Sequence, residues 1–220
     1  MNRNLIWLWG MLMLVSAVFT ACNNDDTLTA DPNSEWALKN GAYLDSIAAV
    51  AANPPAGERW EKYLSYKLQN DTEGSISTPS WGKNDYVYAK VLPYLPDKAE
   101  SEQPAKGATP LFTDSVMVHY RGMYYNGTVF DQSFSGDWDA DIHEPVGFMV
   151  SGLITGWSTA LMHLQENSHV MLYIPYTLGY GEYGQSDLPG YSTLVFDLRL
   201  EKVLHKEGPD DRSRKKKTAR

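Results

Sequence analysis

The stretch from Asp114 to Phe134, DSVMVHYRGMYYNGTVFDQSF, constrains the fold more than any other part of the chain. Val116, Val118 and Tyr120 alternate with Met117, His119 and Arg121, and a period of two is that of a strand with one buried face. Asn126-Gly127 follows, a dipeptide that supplies the two positive-φ residues of a type I′ turn. Thr128-Val129-Phe130 then leads back along a partner strand, so the spacing predicts a β-hairpin. Asp131 ends it, an acid directly after a large aromatic, where a pocket wall would place it.

Downstream, the chain reads PVGFMVSGLITGWSTALMHL from Pro145, then HVMLYIPYTLGYGEYG, then STLVFDLRLEKVL. Taken together these stretches resemble the FKBP-type peptidyl-prolyl isomerases. The motifs that carry the resemblance are V-x-V-H-Y-x-G-x-x-x-x-G-x-x-F-D from Val116 to Asp131, I-x-G-W from Ile154 to Trp157, Y-G at Tyr180-Gly181 and T-L-V-F-D from Thr193 to Asp197. They stand in the family's order and near its spacing over roughly residues 84 to 204. The resemblance implies an α+β fold: an antiparallel β-sheet of five to six strands wrapped around one short α-helix. A small helical N-terminal extension precedes it.

Around that domain, 84–205, the chain divides into appendages. Residues 1–21 have the plan of a secretory signal, with basic Arg3, an apolar run from Leu5 to Phe19 and small residues before Cys22. Phe19-Thr20-Ala21-Cys22 resembles a bacterial lipobox, which implies lipidation of Cys22 and an exported protein anchored to the outer membrane, facing the periplasm or the surface. Cys22 is the only cysteine, so no internal disulfide can form. Residues 22–33 are polar and acidic, a flexible tether. Residues 34–83 read as a helical extension and linker. Trp36, Tyr43, Ile47 and Val50 fall at helical spacing, Ser34 or Asn33 caps the start, and Pro54-Pro55 ends it. Glu58 to Leu68 fits a short helix and a strand equally well. Residues 206–220 form a basic tail of the kind that is usually disordered and solvated. The oligomeric state is left open.

The net charge of −8 argues against a nucleic-acid partner. Gly179 to Gly184 satisfies G-x-G-x-x-G but opens no helix, since Asp187, Pro189 and Gly190 follow closely, which excludes a dinucleotide site. The five histidines show no metal-ligand spacing, so neither a metal nor any other cofactor is expected. No G-x-S-x-G elbow is present.

Prolyl isomerisation needs none of these. The amide barrier of about 18–20 kcal/mol comes from resonance in the planar, charge-separated form. A dry apolar cup favours the less charge-separated twisted amide, and each tenfold acceleration needs only about 1.36 kcal/mol of differential stabilisation. The resemblance assigns Trp157 to the floor beneath the proline ring and Tyr120, Phe130 and Phe196 to the walls, with Phe148 beside them. It puts Leu153 and Ile154 at the rim and Leu188 on a loop that closes over the ligand. The Ile154 N–H and the Tyr180 hydroxyl are matched to donors for substrate carbonyls, and Asp131 to a buried polar acceptor. Val146 stands where the family commonly has phenylalanine. Trp138, in a loop longer than the family's, either extends this cleft or covers the sheet.

The implied partners are Pro-containing polypeptides, the membrane through the lipid anchor, and macrolide inhibitors of the FKBP class. A rival reading is a non-catalytic Pro-peptide-binding or chaperone/assembly lipoprotein that uses the same cup.

Overall fold

The computed structural model describes residues 31–32, 34–69 and 80–205. The signal-like segment, Cys22, most of the tether, the central linker and the basic tail lie outside the described residues. Seven strands form one antiparallel sheet: β1 (Arg59–Leu64), β2 (Tyr86–Leu92), β3 (Ser115–Tyr124), β4 (Val129–Gln132), β5 (Val146–Met149), β6 (Ser168–Ile174) and β7 (Leu194–Leu204). Their order is β1-β2-β6-β7-β3-β4, and β5 pairs with the other end of β3 on the same edge as β4. Two helices, α1 (Glu35–Ala52) and α2 (Thr155–Leu161), lie on opposite faces.

β7 shows how the sequence divides those faces. Leu194, Phe196, Leu198 and Leu200 point into the main core with Trp157, Ala160 and Leu161 of α2. Val195 turns the other way, toward Leu44 and Ile47 of α1. Asp197 and Arg199 alternate with the core residues and also face away from it. The sheet is thus buried on both sides along its middle strands, which is why β6 and β7 contain so few exposed residues.

Four expectations need correction. The sheet has seven strands instead of five or six, because residues 59–64 form an edge strand on β2, with Trp60 opposite Lys90 and Leu64 opposite Tyr86. Residues 34–83 are therefore more than a helical extension and linker: Tyr63 joins the main core, while Trp60 packs on the α1 side. At the hairpin only Gly127 takes positive φ (83°). Tyr124 O accepts from Gly127 N–H, and Asn126 Oδ1 accepts from Thr128 N–H. This longer loop ends in a single left-handed glycine, in place of a two-residue type I′ turn. In α1 the buried stripe is Ala37, Asn40, Leu44 and Ile47, with Trp36, Tyr43 and Val50 at its flanks. A hydrophobic count passes over Asn40, yet it is 1% exposed, with its side-chain oxygen and nitrogen each hydrogen-bonded as described below. Ser34 is the cap, accepting from Ala37 N–H.

Trp138 covers the sheet. It lies on the α1-facing side, 4.3 Å above the Arg199 guanidinium, with its ring edge-on to His119 and Tyr94. His119 is bonded through Nε2 to Glu201 at 2.9 Å, and His169 bridges Asp197 and the Pro93 carbonyl, each at 2.8 Å.

Candidate active site

The cleft lies on the opposite side of β3 and β7, over α2. β3 and β7 bring Tyr120 and Phe196 to the inner face, and α2 rises beneath them with Trp157. Trp157 and Phe196 are each 4% exposed and meet edge to face, their centroids 5.1 Å apart. Tyr120 stands against Trp157 at 5.4 Å and Phe130 against Phe196 at 5.7 Å, both near perpendicular. Phe148, from β5, closes the third side against Tyr120. Edge-to-face packing satisfies the ring quadrupoles pairwise while leaving ring faces uncovered. The result is a cavity of about 280 Å³ whose base is indole and whose walls are aromatic.

Gly122 is needed for this packing. A Cβ there would come within 2.8 Å of the rings of both Phe130 and Phe196, so any larger residue would drive the walls apart. Gly156 has the same function under the floor, where a Cβ would meet Ile174 at 2.3 Å. Both glycines belong to the motifs quoted above, and both serve close approach.

Polar groups are few. The Tyr120 hydroxyl donates to Asp131 Oδ2 at 2.8 Å. Burial first, then that hydrogen bond and the carboxylate charge, push the Tyr120 hydroxyl well above the ordinary phenol range. Tyr180 is raised too, by burial and then by the charge of Asp131. Both phenols are thus firmly protonated donors at neutral pH. Ile154 immediately precedes α2, and no side-chain cap covers that helix's start.

The structure gathers nine of the residues named from the sequence around the one cavity: Tyr120, Phe130, Asp131, Phe148, Leu153, Ile154, Trp157, Tyr180 and Phe196. Two stay off it. Val146, opposite Val118 on β5, is 38% exposed at the sheet edge and does not reach the cavity. Leu188 lies next door, in a shallower cavity of about 220 Å³ that shares Phe130, Asp131, Tyr180 and Gln185 with the first. Asp131, expected as a buried acceptor, is exposed at the mouth, because the short β4 leaves its side chain at the sheet margin. Gly152 and Gln185 line the cavity and were not named. Gly152 offers no side chain to notice, and Gln185 is placed by a loop whose path depends on the bridge between Gln185 and Leu188.

Such a cup can hold an apolar ring, exclude water around it and present a carboxylate and phenol donors at its mouth. It contains no nucleophile–base pair of the kind that covalent catalysis requires.

Residues 107–201 match the family model for the FKBP-type peptidyl-prolyl cis-trans isomerase domain. Among curated proteins, the chain is 36% identical over 159 residues to the FKBP-type isomerase FkpA of Escherichia coli K12, covering 72% of this chain and 52% of that protein. It is 43% identical over 100 residues to the FKBP-type 22 kDa isomerase of the same strain, covering 45% of this chain and 46% of that one. The crystal structure of FkpA from Escherichia coli superposes with a TM-score of 0.50 at 26% identity, over 76% of this chain and 61% of that one. The chain is thus similar to the FKBP-type isomerases through residues 107–201. It spans about half the length of the curated relatives it matches.

Proposed function

We propose that this chain is a peptidyl-prolyl cis-trans isomerase that takes X-Pro segments of exported polypeptides into the aromatic cup. The observation that carries this reading is the combination of a nearly buried indole floor with an otherwise apolar wall whose single carboxylate, Asp131, is already held by Tyr120. The proline ring rests on Trp157 between Tyr120, Phe130 and Phe196. Ile154 N–H and the Tyr180 hydroxyl hold carbonyls on either side, and Leu153, with Ile154's side chain, forms the rim. The dry cup destabilises the charge-separated planar amide relative to the twisted one, and about 4 kcal/mol of such preference would give a thousandfold acceleration. Macrolide inhibitors of the FKBP class would occupy the same cup.

The test is isomerisation of an X-Pro peptide by the full-length chain in detergent, followed without a coupling protease. Acceleration over the uncatalysed rate is expected. Binding of Pro-containing peptides with no acceleration would replace this reading with that of a non-catalytic Pro-peptide-binding lipoprotein. The anchor is a separate part of the proposal, supported by the lipobox-like Phe19 to Cys22. Intact mass of membrane-extracted protein should show a chain beginning at an acylated Cys22, and a mature form that keeps residues 1–21 would exclude it.

A further inference from the structure

Helix α1 lies outside the matched segment 107–201, yet its contacts run to the margin of the cleft. Trp36 donates its indole N–H to Ser192 Oγ at 3.0 Å, and Ser192 Oγ donates onward to the Pro189 carbonyl at 2.6 Å. The same indole stands edge-on to Tyr124 at 5.3 Å. Tyr124 in turn packs on Phe130, a cup wall, at 5.1 Å, and its hydroxyl reaches the Asp187 carbonyl. Both routes converge on the loop of residues 185–192, which carries Gln185 into the cleft and Leu188 beside it.

One turn further along α1, Asn40 makes the docking specific. Its Oδ1 accepts from Thr193 N–H at 2.7 Å, its Nδ2 donates to the Trp36 carbonyl at 2.9 Å, and its own carbonyl accepts from Thr193 Oγ1 at 3.2 Å. Leu44 and Ile47 then bury against Tyr88, Tyr173 and Val195. Elsewhere the loop is held by Tyr191, whose N–H donates to the Gly181 carbonyl at 3.0 Å and whose ring packs on Tyr176 at 4.9 Å, and by Leu188 against the main core. Ser186 and Tyr191 adopt positive φ, which side chains disfavour, and the backbone bonds within the loop are those between Gln185 and Leu188.

We infer that Trp36 is a positioning residue for substrate binding: α1 is an intramolecular brace that holds the 185–192 loop against the cleft. The inference rests on the isomerase reading only for its kinetic consequence, since the brace also bears on peptide affinity. Because Asn40, Leu44 and Ile47 keep α1 docked without Trp36, Trp36→Ala should release the loop and leave the fold intact.

The experiment uses the full-length chain and three variants, Trp36→Ala, Trp36→Phe and Leu38→Ala, the last on an α1 residue that is 59% exposed. Hydrogen exchange of the 185–192 amides and KM and kcat for an X-Pro peptide are measured together. Trp36→Ala should speed loop exchange and raise KM about threefold to tenfold, the range spanned by one hydrogen bond with aromatic edge contacts, with kcat within about twofold. Trp36→Phe keeps the ring contact with Tyr124 and should recover part of the loss, and Leu38→Ala should match wild type. Unchanged loop exchange, or faster exchange with unchanged KM, overturns the brace. If wild type proves not to catalyse, the isomerase reading fails, and peptide Kd then replaces KM in judging the brace. If Trp36→Ala unfolds, Ser192→Ala breaks the same relay and is held to the same outcomes.

Discussion

Two aromatic clusters flank β3 and β7, and they do opposite things. On the inner face Tyr120, Phe130, Trp157 and Phe196 surround an open cavity. On the outer face His119, Arg199, Tyr94 and Trp138 are packed shut. The residue types are similar, since each cluster has aromatic rings with a charged group among them. The inner rings brace one another edge to face, packed closely over Gly122, while Gly152 on the lining leaves space that nothing fills. The outer ones are roofed by the loop that follows β4, which lays an indole over a guanidinium that is 5% exposed. Composition does not tell a pocket from a core; what stands over the cluster does.

That contrast can be broken from either side. Trp157→Ala should have the largest effect, since it removes both core and floor: about 3–5 kcal/mol of stability, with peptide affinity and turnover lost together. Thermal melts and peptide titration would show it, and a stable variant with normal affinity would mean the floor is elsewhere. Trp138→Ala should be the mirror case, costing about 2 kcal/mol by uncovering Arg199 while leaving the preference for the residue before proline unchanged. Altered preference with normal stability would place Trp138 in the cleft after all.

The charges beneath Trp138 sharpen the comparison through pH. Burial alone would raise the Asp197 carboxyl, but the hydrogen bond and charge of His169, with Arg199 and Arg121, outweigh it and hold it below the usual range. A carboxyl lowered on folding contributes stability above its unfolded value of about 3.9, and that stability drains away as pH falls through the folded value. Asp197→Asn should therefore be less stable than wild type at pH 6, with the gap closing below about pH 4 in urea titrations. A gap that does not change with pH would remove Asp197 from the linkage.

The smallest change in stability is expected at the mouth of the cup. Asp131→Asn, at an exposed position, should shift melting by no more than about 0.5 kcal/mol. It weakens the contact that fixes Tyr120, so kcat should fall about fivefold to tenfold, roughly 1 kcal/mol, with peptide affinity changed less. Equal losses in rate and affinity would mean that Asp131 only binds.

Much of this molecule follows from local pattern. Period-two alternation in residues 116–121 and 194–200 sets the inward and outward faces of β3 and β7, because successive side chains on a strand must point opposite ways. Ser34 and the Pro54-Pro55 pair bound α1, and the order of the cup residues along the chain is legible in the motifs. Other features were settled only when distant segments met. Residues 59–64 became a strand because β2 presented an open edge, and nothing in WEKYL chooses between helix and strand. Asn40 is tolerated in burial because Thr193 supplies a partner for its side-chain oxygen from 153 residues away. Trp138 covers Arg199 instead of a substrate because the loop after β4 turns to the outer face, and Asp131 is exposed because β4 is short. Periodicity encodes which way a side chain points, since the backbone repeats every two or 3.6 residues. What it points at depends on contacts between residues far apart in sequence, and those exist only in the folded chain.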